Sequence, residues 1–366
     1  MTRSLSVAFL ALLTTPALAQ DGVPTREEIA EALKETPVIT PPAEEQTAPE
    51  AGTDSMEATA EVAPAGDTPT PESIEAVTYD GGPLPDGQSS LTAKVQILLD
   101  RAGISPGVID GWRGGMSESA ILAFETREGL PQDGELDPEV WAALGGDEPG
   151  AMLQGYEIQP GDLEGLVDSI PEDYAEKAQM EAMAHTSVAE RLAEWFHMDE
   201  DFIRELNPDA TWQPGETIVV AATGGYLETP VARIEVRKSV GRLAAFDAEG
   251  NMIGNYPVTV GSAQTPSPSG EVEVTAVAFM PNYTYNPDIN FTQGDNTEVL
   301  IVPPGPNGPV GSIWIDLSEP TYGLHGTPEP ASLFSAQSNG CVRLTNWDAE
   351  ELARLVSPGV PVSFIE

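Results

Sequence analysis

The stretch "RLAAFDAEGNMIGNYPVTVG", residues 242–261, decides the fold class of the C-terminal part of this chain. Two segments with apolar residues at alternate positions flank a polar turn at 248–251, which is typical of a β-hairpin with one buried face. The same period of two returns in "ARIEVRK" (232–238), "GEVEVTAVA" (270–278), "SIWIDL" (312–317) and "VPVSFI" (360–365). We therefore predict a mainly β domain over residues 231–366, built as a β-sandwich.

One helix is predicted among these strands, near the C-terminus. Thr345 and Asp348 are suited to cap the segment "WDAEELARLV", and "SPG" at 357–359 ends it. Two Pro- and Asn-rich loops, 280–296 and 302–311, are long enough to indicate a functional role rather than a simple connection.

The first residues, "MTRSLSVAFLALLTTPALAQ", have the pattern of a signal peptide over residues 1–19. Arg3 provides a basic start, an apolar run follows at 5–13, and Ala17-Leu18-Ala19 is a small-x-small cleavage site. The apolar run is too short to span a bilayer, so we expect no membrane span after cleavage; the alternative is a retained anchor. The protein is thus expected to be exported, to a periplasm.

Three segments separate the signal peptide from the β-rich domain, which makes the chain α+β overall. Residues 20–88 are acidic and rich in Pro, and we predict a disordered linker there. Residues 89–146 have helical apolar spacing, broken by Gly-rich turns, and predict a three-helix module. Residues 151–222 contain two amphipathic helices followed by a turn and a short strand; Val188, Leu192, Phe196, Ile203 and Leu206 outline their apolar faces.

The charge of the chain excludes some classes of partner. The net charge is −43, and residues 231–366 carry 15 acidic and six basic side chains, so −34 of it lies in residues 1–230. Such acidity repels phosphates, so we expect neither nucleic acid nor an anionic membrane as a partner.

Cys341 is the only cysteine of the chain and cannot form an internal disulfide, which is unusual for an exported protein. His325 precedes it by sixteen positions. An imidazole can take the proton of a thiol and return it to a leaving amine. Gly340 allows backbone amides to approach a substrate carbonyl as an oxyanion hole, and Arg343 shares a face with Cys341 on an extended backbone. The alternative is an inert buried thiol beside an unrelated histidine.

The other two histidines, His185 and His197, belong to no metal-ligand motif, and we interpret both as structural or solvent-facing. No metal and no cofactor are expected. Trp314 and Trp347 are interpreted as packing residues rather than as sugar platforms.

The motifs "YGLHGTPEP" and "SNGCVRLTN", at this spacing, resemble the catalytic motif of the L,D-transpeptidase family. The resemblance extends from Arg233 to Phe364 and includes "YPVTVGSAQTPSPSGEVEV", "PPGPNGPVG" and "TNWDAEELARLVSPGVPV". It implies a β-sandwich enzyme with Cys341 as nucleophile and His325 as base and then acid, oriented by the backbone oxygen of Gly326. It also implies a substrate cleft lined by Tyr322, Thr327, Ser338, Asn339, Gly340 and Arg343.

The same resemblance implies a reaction. The thiolate attacks the amide after the L-centre of the diamino acid in a peptidoglycan tetrapeptide stem, expels D-Ala and leaves a thioester. An amine acceptor then resolves the thioester, which gives a crosslink or attaches a protein to the wall. Carbapenem-type inhibitors are expected to acylate the same cysteine. Asn339 stands where many members have His, which excludes a second base there, and "PASLFSAQ" lacks a glycine often found between the catalytic residues.

The accessory segments have resemblances of their own. Residues 89–146, with "GVIDG" and "GLPQDGELDPEVWAAL", resemble a peptidoglycan-binding domain, although Gly114-Gly115 replaces its usual Gly-x-x-Thr turn. The "LNP" and "PGETIVV" ending of residues 151–222 resembles a degenerate lysin motif, which implies binding to glycan strands. A helical spacer and a plain connector are the alternatives.

Three functions remain open from the sequence. The first is an exported cell-wall transpeptidase. The second uses the same thioester but releases it with water, as an L,D-carboxypeptidase or an amidase. The third is a non-catalytic protein that binds the wall through its accessory modules.

Overall fold

The computed structural model describes residues 66–262, 265–288, 292–334, 338 and 340–366. The predicted signal peptide and the linker as far as residue 65 lie outside these ranges. The α-helices are α1 (Pro71–Ala76), α2 (Ser90–Arg101), α3 (Gly115–Glu128), α4 (Pro138–Ala143), α5 (Tyr174–Lys177), α6 (Val188–Trp195), α7 (Glu200–Leu206) and α8 (Asn346–Leu355), and short 3-10 helices lie at Pro160–Leu163, Lys238–Val240 and Pro330–Ser332. No helix in the described ranges is both long and apolar enough to cross a membrane.

Twelve strands are assigned in the described residues. They are β1 (Leu153–Glu157), β2 (Thr217–Ala221), β3 (Arg233–Arg237), β4 (Arg242–Phe246), β5 (Met252–Pro257), β6 (Gly270–Phe279), β7 (Tyr283–Tyr285), β8 (Leu300–Val302), β9 (Ile313–Leu317), β10 (Gly323–His325), β11 (Val342–Arg343) and β12 (Pro361–Ile365).

The helical module begins earlier than the sequence predicts. The Thr70 side chain caps α1, and Ile74 on this helix is fully buried in the module core. Asp67 accepts hydrogen bonds from the backbone N–H and the hydroxyl of Ser90, at 3.1 and 2.6 Å, which ties this segment to the start of α2. The prediction of a disordered linker is therefore wrong for residues 66–88, which belong to the folded module.

The three predicted helices of this module are present as α2, α3 and α4. Asp137 caps α4 by accepting from the Val140 N–H at 2.7 Å, as its position before Pro138 indicates. Helix α3 starts at Gly115 and ends before Gly129, which adopts a left-handed conformation.

Two paired strands bring the ends of the connector, residues 151–222, together. β1 and β2 pair in antiparallel register, and α6 and α7 lie between them in the chain. Four residues of the predicted apolar faces are buried, namely Val188, Leu192, Ile203 and Leu206, and Phe196 is half-buried against the same core. Residues of the connector and of the helical module form one shared core, so the two segments fold as one body.

The C-terminal domain is mainly β, as predicted: eight of its strands join into one curled sheet, and β7 and β8 pair in antiparallel fashion as a separate two-stranded sheet. The order of the eight strands is β11-β10-β9-β6-β12-β3-β4-β5. The long strand β6 pairs with β12 in its first half and with β9 in its second half, and the register shifts between Val274 and Ala276. Such a shift bends a strand, so β6 belongs to both halves of the curled sheet.

Helix α8 packs against the core of this domain. Thr345 caps it by accepting from the Asp348 N–H at 3.0 Å, in agreement with the predicted start. Leu352 of α8 joins Ile315, Leu324 and Val362 in a single buried cluster. The helix therefore fixes the strands that surround the candidate site.

A buried polar network joins the helical module to the β-rich domain. Arg242 donates to the Asn255 side chain at 2.7 Å and to the Ser105 carbonyl at 2.9 Å, and burial lowers its pKa to about 9. The Ser105 hydroxyl donates to Asp348 at 2.9 Å. Burial raises the pKa of Asp348 to about 7, although the charge of His197 and hydrogen bonds from Ser105 and Thr345 act in the opposite direction.

This network predicts a pH-dependent stability. Because the pKa of Asp348 rises from 3.8 to about 7, the folded protein keeps a proton in this range that the unfolded chain has released. The contribution of Asp348 to stability should therefore fall as pH rises from about 4 to about 7. Asp348→Asn should remove this contribution and so change the slope of stability against pH by at most about 1.4 kcal/mol per pH unit. Urea unfolding across this pH range measures the slope.

The matched control is Asp209→Asn, which changes an exposed carboxylate of the connector and should leave the slope unchanged. An Asp348→Asn variant with the wild-type slope would show that Asp348 does not hold the extra proton.

Candidate active site

The candidate site lies where β10 pairs with its two neighbours. β10 is antiparallel to β9 and parallel to β11, with Leu324 opposite Val342 and His325 opposite both Trp314 and Arg343. Leu324 and Val342 are buried in the core beneath α8. Since side chains alternate along a strand, His325 projects to the other face of the sheet. Cys341, directly before Val342, packs on that other face with Trp314.

His325 is almost completely buried, and its ring is held on two sides. Its Nδ1 lies 2.7 Å from the carbonyl oxygen of Gly326. The ring stacks on Trp314, with centroids 5.6 Å apart and an angle of 17° between the planes. A carbonyl oxygen only accepts, so Nδ1 carries hydrogen and, in the neutral ring, Nε2 is the basic nitrogen. The geometry thus includes the contact that the family resemblance implies for Gly326.

The thiol of Cys341 belongs to a buried residue, with 5% of its surface exposed. Its Sγ lies 3.8 Å from the carbonyl oxygen of Thr321. Cys341 belongs to a buried hydrophobic cluster whose other members are Trp314, Tyr174, Tyr283, Tyr285, Met183, Ala278, Val302 and Val310. A thiol needs a base or a positive charge nearby to react in such surroundings.

The turn before the cysteine depends on Gly340. Its φ of 114° is in the range that glycine adopts readily, and an added Cβ would lie 2.6 Å from the Tyr322 ring. Ser338 accepts from the Gly340 N–H at 3.2 Å and donates to the Cys341 carbonyl. Ser267 donates to the Gly340 carbonyl at 2.7 Å. These bonds give Ser338 a structural role in the turn. Because the Gly340 N–H already donates to Ser338, its role as an oxyanion donor stays a prediction.

The other predicted cleft residues lie around this turn. The Tyr322 hydroxyl donates to the Pro266 carbonyl at 3.4 Å. Thr327 is buried and its hydroxyl accepts from the Glu329 N–H at 3.3 Å. Arg343 exchanges two backbone hydrogen bonds of 3.0 Å with Thr259. Asn339 lies outside the described residues, and substrate binding by any of these side chains stays a prediction.

The sequence did not indicate that the connector covers the face of the sheet that holds Cys341. Tyr174 of α5 stacks on Tyr285 with a centroid distance of 4.9 Å, and its backbone N–H donates to Gln293 at 2.8 Å. The Met183 N–H donates to the Pro304 carbonyl at 2.9 Å, and the Met183 carbonyl accepts from Asn307 at 2.9 Å. We call residues 172–184 the cover, because Tyr174 and Met183 share the buried cluster of Cys341.

Neither of the other histidines lies in the cluster around Cys341. His185 is buried, with its Nε2 3.4 Å from Glu194. The Nδ1 of His197 lies 2.7 Å from Asp100, and its ring stacks on Trp347. Burial opposes protonation of His197, but Asp100 outweighs this and raises the His197 pKa. Across the described ranges, no group of three or more His, Cys, Asp or Glu residues is arranged to hold a metal ion.

Comparisons with known proteins match two parts of the chain. Residues 231–363 match the YkuD family model, described as "L,D-transpeptidase catalytic domain", and residues 88–144 match "Putative peptidoglycan binding domain". The relative "Putative L,D-transpeptidase YkuD" of Bacillus licheniformis is 32% identical over 177 residues, which are 48% of this chain and 91% of the relative. Its Bacillus subtilis counterpart is 29% identical over 175 residues, 47% and 90% of the two chains.

A solved structure, the L,D-transpeptidase of Xylanimonas cellulosilytica (residues 123–326), aligns with 14% identity over 78% of this chain and 100% of that chain, at a TM-score of 0.36. The family comparisons confirm the resemblance of the β-rich domain and of the helical module. The lysin-motif resemblance of the connector stays a prediction.

The cover predicts how fast Cys341 reacts with a small reagent. Tyr174→Ala removes ring contacts worth roughly 0.5–1.5 kcal/mol. The rate of Cys341 alkylation by iodoacetamide should therefore rise about two- to tenfold. Since the chain has one cysteine, mass spectrometry of the intact protein measures this rate without ambiguity. Tyr226→Ala, which changes a tyrosine with 52% exposure outside this cluster, is the control. A Tyr174→Ala variant that reacts at the wild-type rate would contradict the assignment of the cover.

The conformation of the turn at Gly340 predicts how a substitution there changes stability. Gly340→Ala should destabilise the protein by about 1–3 kcal/mol, because alanine is strained at this φ and its Cβ meets Tyr322. Gly359→Ala is the matched control, with a φ of 94° but nothing within 4 Å of the added Cβ, so it measures the strain alone. Urea unfolding compares the two variants. Equal losses would show that the contact with Tyr322 contributes nothing.

Proposed function

The chain belongs to the L,D-transpeptidase family, and from this premise we propose that it is an exported enzyme that joins peptidoglycan stems through a thioester on Cys341. The observation that carries the proposal is the pairing of β10 with β11. It brings His325 and Cys341 to one face of the sheet, with His325 Nδ1 bound to the Gly326 carbonyl at 2.7 Å.

The first half of the proposed reaction is acylation. His325 Nε2 takes the proton of the Cys341 thiol, and Sγ attacks the carbonyl carbon between the diamino acid L-centre and the terminal D-Ala. A tetrahedral intermediate forms. The C–N bond then breaks as the His325 imidazolium gives its proton to the leaving amine, so D-Ala departs and a thioester remains.

The second half transfers the acyl group. An amine of another stem, or of a protein, attacks the thioester carbonyl while His325 Nε2 accepts its proton. The C–S bond breaks, the new C–N bond stays, and His325 returns the proton to the Cys341 sulfur. The burial of Cys341 among aromatic residues supports an amine acceptor, because an apolar cover reduces the access of water to the thioester.

The stacked Trp314 ring supports this assignment for His325. A flat aromatic neighbour and the Gly326 carbonyl restrict the rotation of the imidazole, so the ring needs little reorganisation before proton transfer. The Gly326 carbonyl also stabilises the positive charge of the imidazolium that forms during acylation.

The accessory segments support a location at the cell wall. The match of residues 88–144 to a peptidoglycan-binding family supports peptidoglycan as the partner of the helical module. We also propose that the pattern of residues 1–19 directs the protein to a periplasm, and that carbapenem-type inhibitors acylate Cys341. The acidity of the chain argues against nucleic acid as a partner.

Purified tetrapeptide muropeptides and mass spectrometry test the reaction. Wild-type protein should give a dimer lighter than two monomers by one D-Ala, and Cys341→Ala should give none. His325→Gln should lower the rate by about 10²- to 10⁴-fold, because it removes the base. Ile365→Ala, which changes an exposed side chain of β12 outside both the candidate site and the helical module, serves as the control and should keep the wild-type rate.

Two other outcomes would separate the alternatives. Tripeptide and free D-Ala without dimer would identify hydrolysis, as in an L,D-carboxypeptidase or an amidase. No product and no carbapenem adduct on Cys341 would overturn the catalytic proposal and leave a wall-binding protein.

A further inference from the structure

The loop between His325 and Cys341 carries an exposed aromatic side chain. Phe334 belongs to the segment "PASLFSAQ" (330–337) and is 40% exposed, whereas Leu333 beside it is only 2% exposed. Neither of these two residues belongs to the buried cluster of Cys341. The position of the Phe334 ring is therefore set by contacts outside that cluster.

Two glycines leave room for the Phe334 ring. A Cβ added to Gly115, the first residue of α3, would lie 3.4 Å from Cδ1 of Phe334. A Cβ added to Gly241, which directly precedes β4, would lie 3.5 Å from Cζ of the same ring. By contrast, nothing lies within 4 Å of a Cβ added to Gly114. The ring is thus packed next to the backbone of both the helical module and the β-rich domain.

This contact brings together two departures from the family patterns. Gly114-Gly115 replaces the Gly-x-x-Thr turn of the peptidoglycan-binding domain, and "PASLFSAQ" lacks a glycine often found between the catalytic residues. Glycine is unfavourable in a helix, but a branched side chain at Gly115 would meet the Phe334 ring. The glycine at this position is therefore explained by its neighbour in the β-rich domain rather than by the helix.

The helical module is fixed on the β-rich domain close to this contact. The Ser119 hydroxyl of α3 accepts from Arg242 at 3.4 Å. The Ser105 N–H donates to the Asn255 carbonyl at 2.8 Å, and the Asn255 N–H donates to the Gly103 carbonyl at 3.0 Å. The module thus extends the sheet by hydrogen bonds to β5, so the start of α3 is a firm support for the loop.

Thr259 connects the loop to the turn that carries Cys341. Its hydroxyl donates to the carbonyl of Leu333, the residue before the exposed ring. Its backbone exchanges two hydrogen bonds of 3.0 Å with Arg343, two residues after Cys341. The carbonyl of the residue after Thr259 accepts from the Ser338 N–H at 3.2 Å. One short segment therefore bonds to the loop and to positions on both sides of Cys341, so a shift of the loop reaches the turn.

We propose that the helical module positions the turn that carries Cys341, with Phe334, packed on Gly115, as the positioning residue. The module is then part of the scaffold of the reactive site as well as a unit that binds the wall. The proposal rests on the proposed function only in taking Cys341 as the reacting group.

Hydrogen exchange of the purified protein, followed by mass spectrometry, tests whether this contact holds the turn. Gly115→Val should displace the Phe334 ring, and Phe334→Ala should remove it, so each should raise the exchange rate of amides 338–344 about two- to tenfold. Gly114→Val is the matched control and should exchange like the wild type, because its side chain meets nothing. In the Phe334→Ala background, Gly115→Val should have a smaller effect, since the ring that it meets is gone.

Crosslinking kinetics with the tetrapeptide muropeptide test whether the position of the turn matters for the reaction. Phe334→Ala should lower kcat about three- to tenfold and leave KM within about twofold, because a displaced nucleophile slows the chemical step more than it weakens binding. A loss of stability alone would leave kcat of the folded enzyme unchanged. Phe279→Ala, which changes a phenylalanine with 41% exposure at the end of β6, is the control and should keep the wild-type values.

Three results would overturn the proposal. These are unchanged exchange of amides 338–344 in both Gly115→Val and Phe334→Ala, an equal rise in Gly114→Val, or a raised exchange rate with unchanged kcat in Phe334→Ala. The failure of the proposed function would look different, because the wild type would form no dimer while exchange still rose in the Gly115 and Phe334 variants.

Discussion

The parallel pairing of β10 with β11 is the contact on which the rest of the β-rich domain depends. It is two residues long, with Leu324 opposite Val342 and His325 opposite Arg343. The Leu344 N–H donates to the His325 carbonyl at 2.8 Å, and Thr259 bonds to Arg343 from the other side. This short ladder brings together a thiol and an imidazole that are sixteen positions apart in the chain.

The register of this ladder ties stability to chemistry. A slip by one residue would move Leu324 and Val342 out of the core and turn His325 into it, because side chains alternate along strands. The core therefore fixes which face carries the reactive groups. The next residues strengthen the register, since Thr345 follows β11 almost at once and caps α8, which packs on the same core.

Local patterns in the sequence are sufficient to predict much of this domain. Alternating apolar residues predict β3 to β6, β9 and β12, and the capping of α8 by Thr345 is also local. The motif around Cys341 and His325 indicates the candidate site.

The joining of the strands into one curled sheet depends on the register shift at Val274, which a period of two does not reveal. The composition of residues 66–88 resembles that of a linker, so the sequence predicts disorder there. The segment is ordered because a few of its residues, such as Ile74, make tertiary contacts that composition does not reveal. The cover is absent from the prediction because Tyr174 and Met183 belong to no periodic segment.

The connector acts as more than a spacer, because its cover shares the buried cluster of Cys341. Met183 of the cover precedes α6, which ends at Trp195. Helix α6 is eight residues long, about 12 Å, and two side chains bond it to the β-rich domain. Asn307 donates to Glu190 at 2.5 Å, and Asn346 donates to Glu194 at 2.9 Å. A displacement of the cover must instead break the bonds of Met183 to Pro304 and Asn307, while α6 can keep its own bonds. Access to Cys341 thus depends on contacts between the connector and a loop of the β-rich domain.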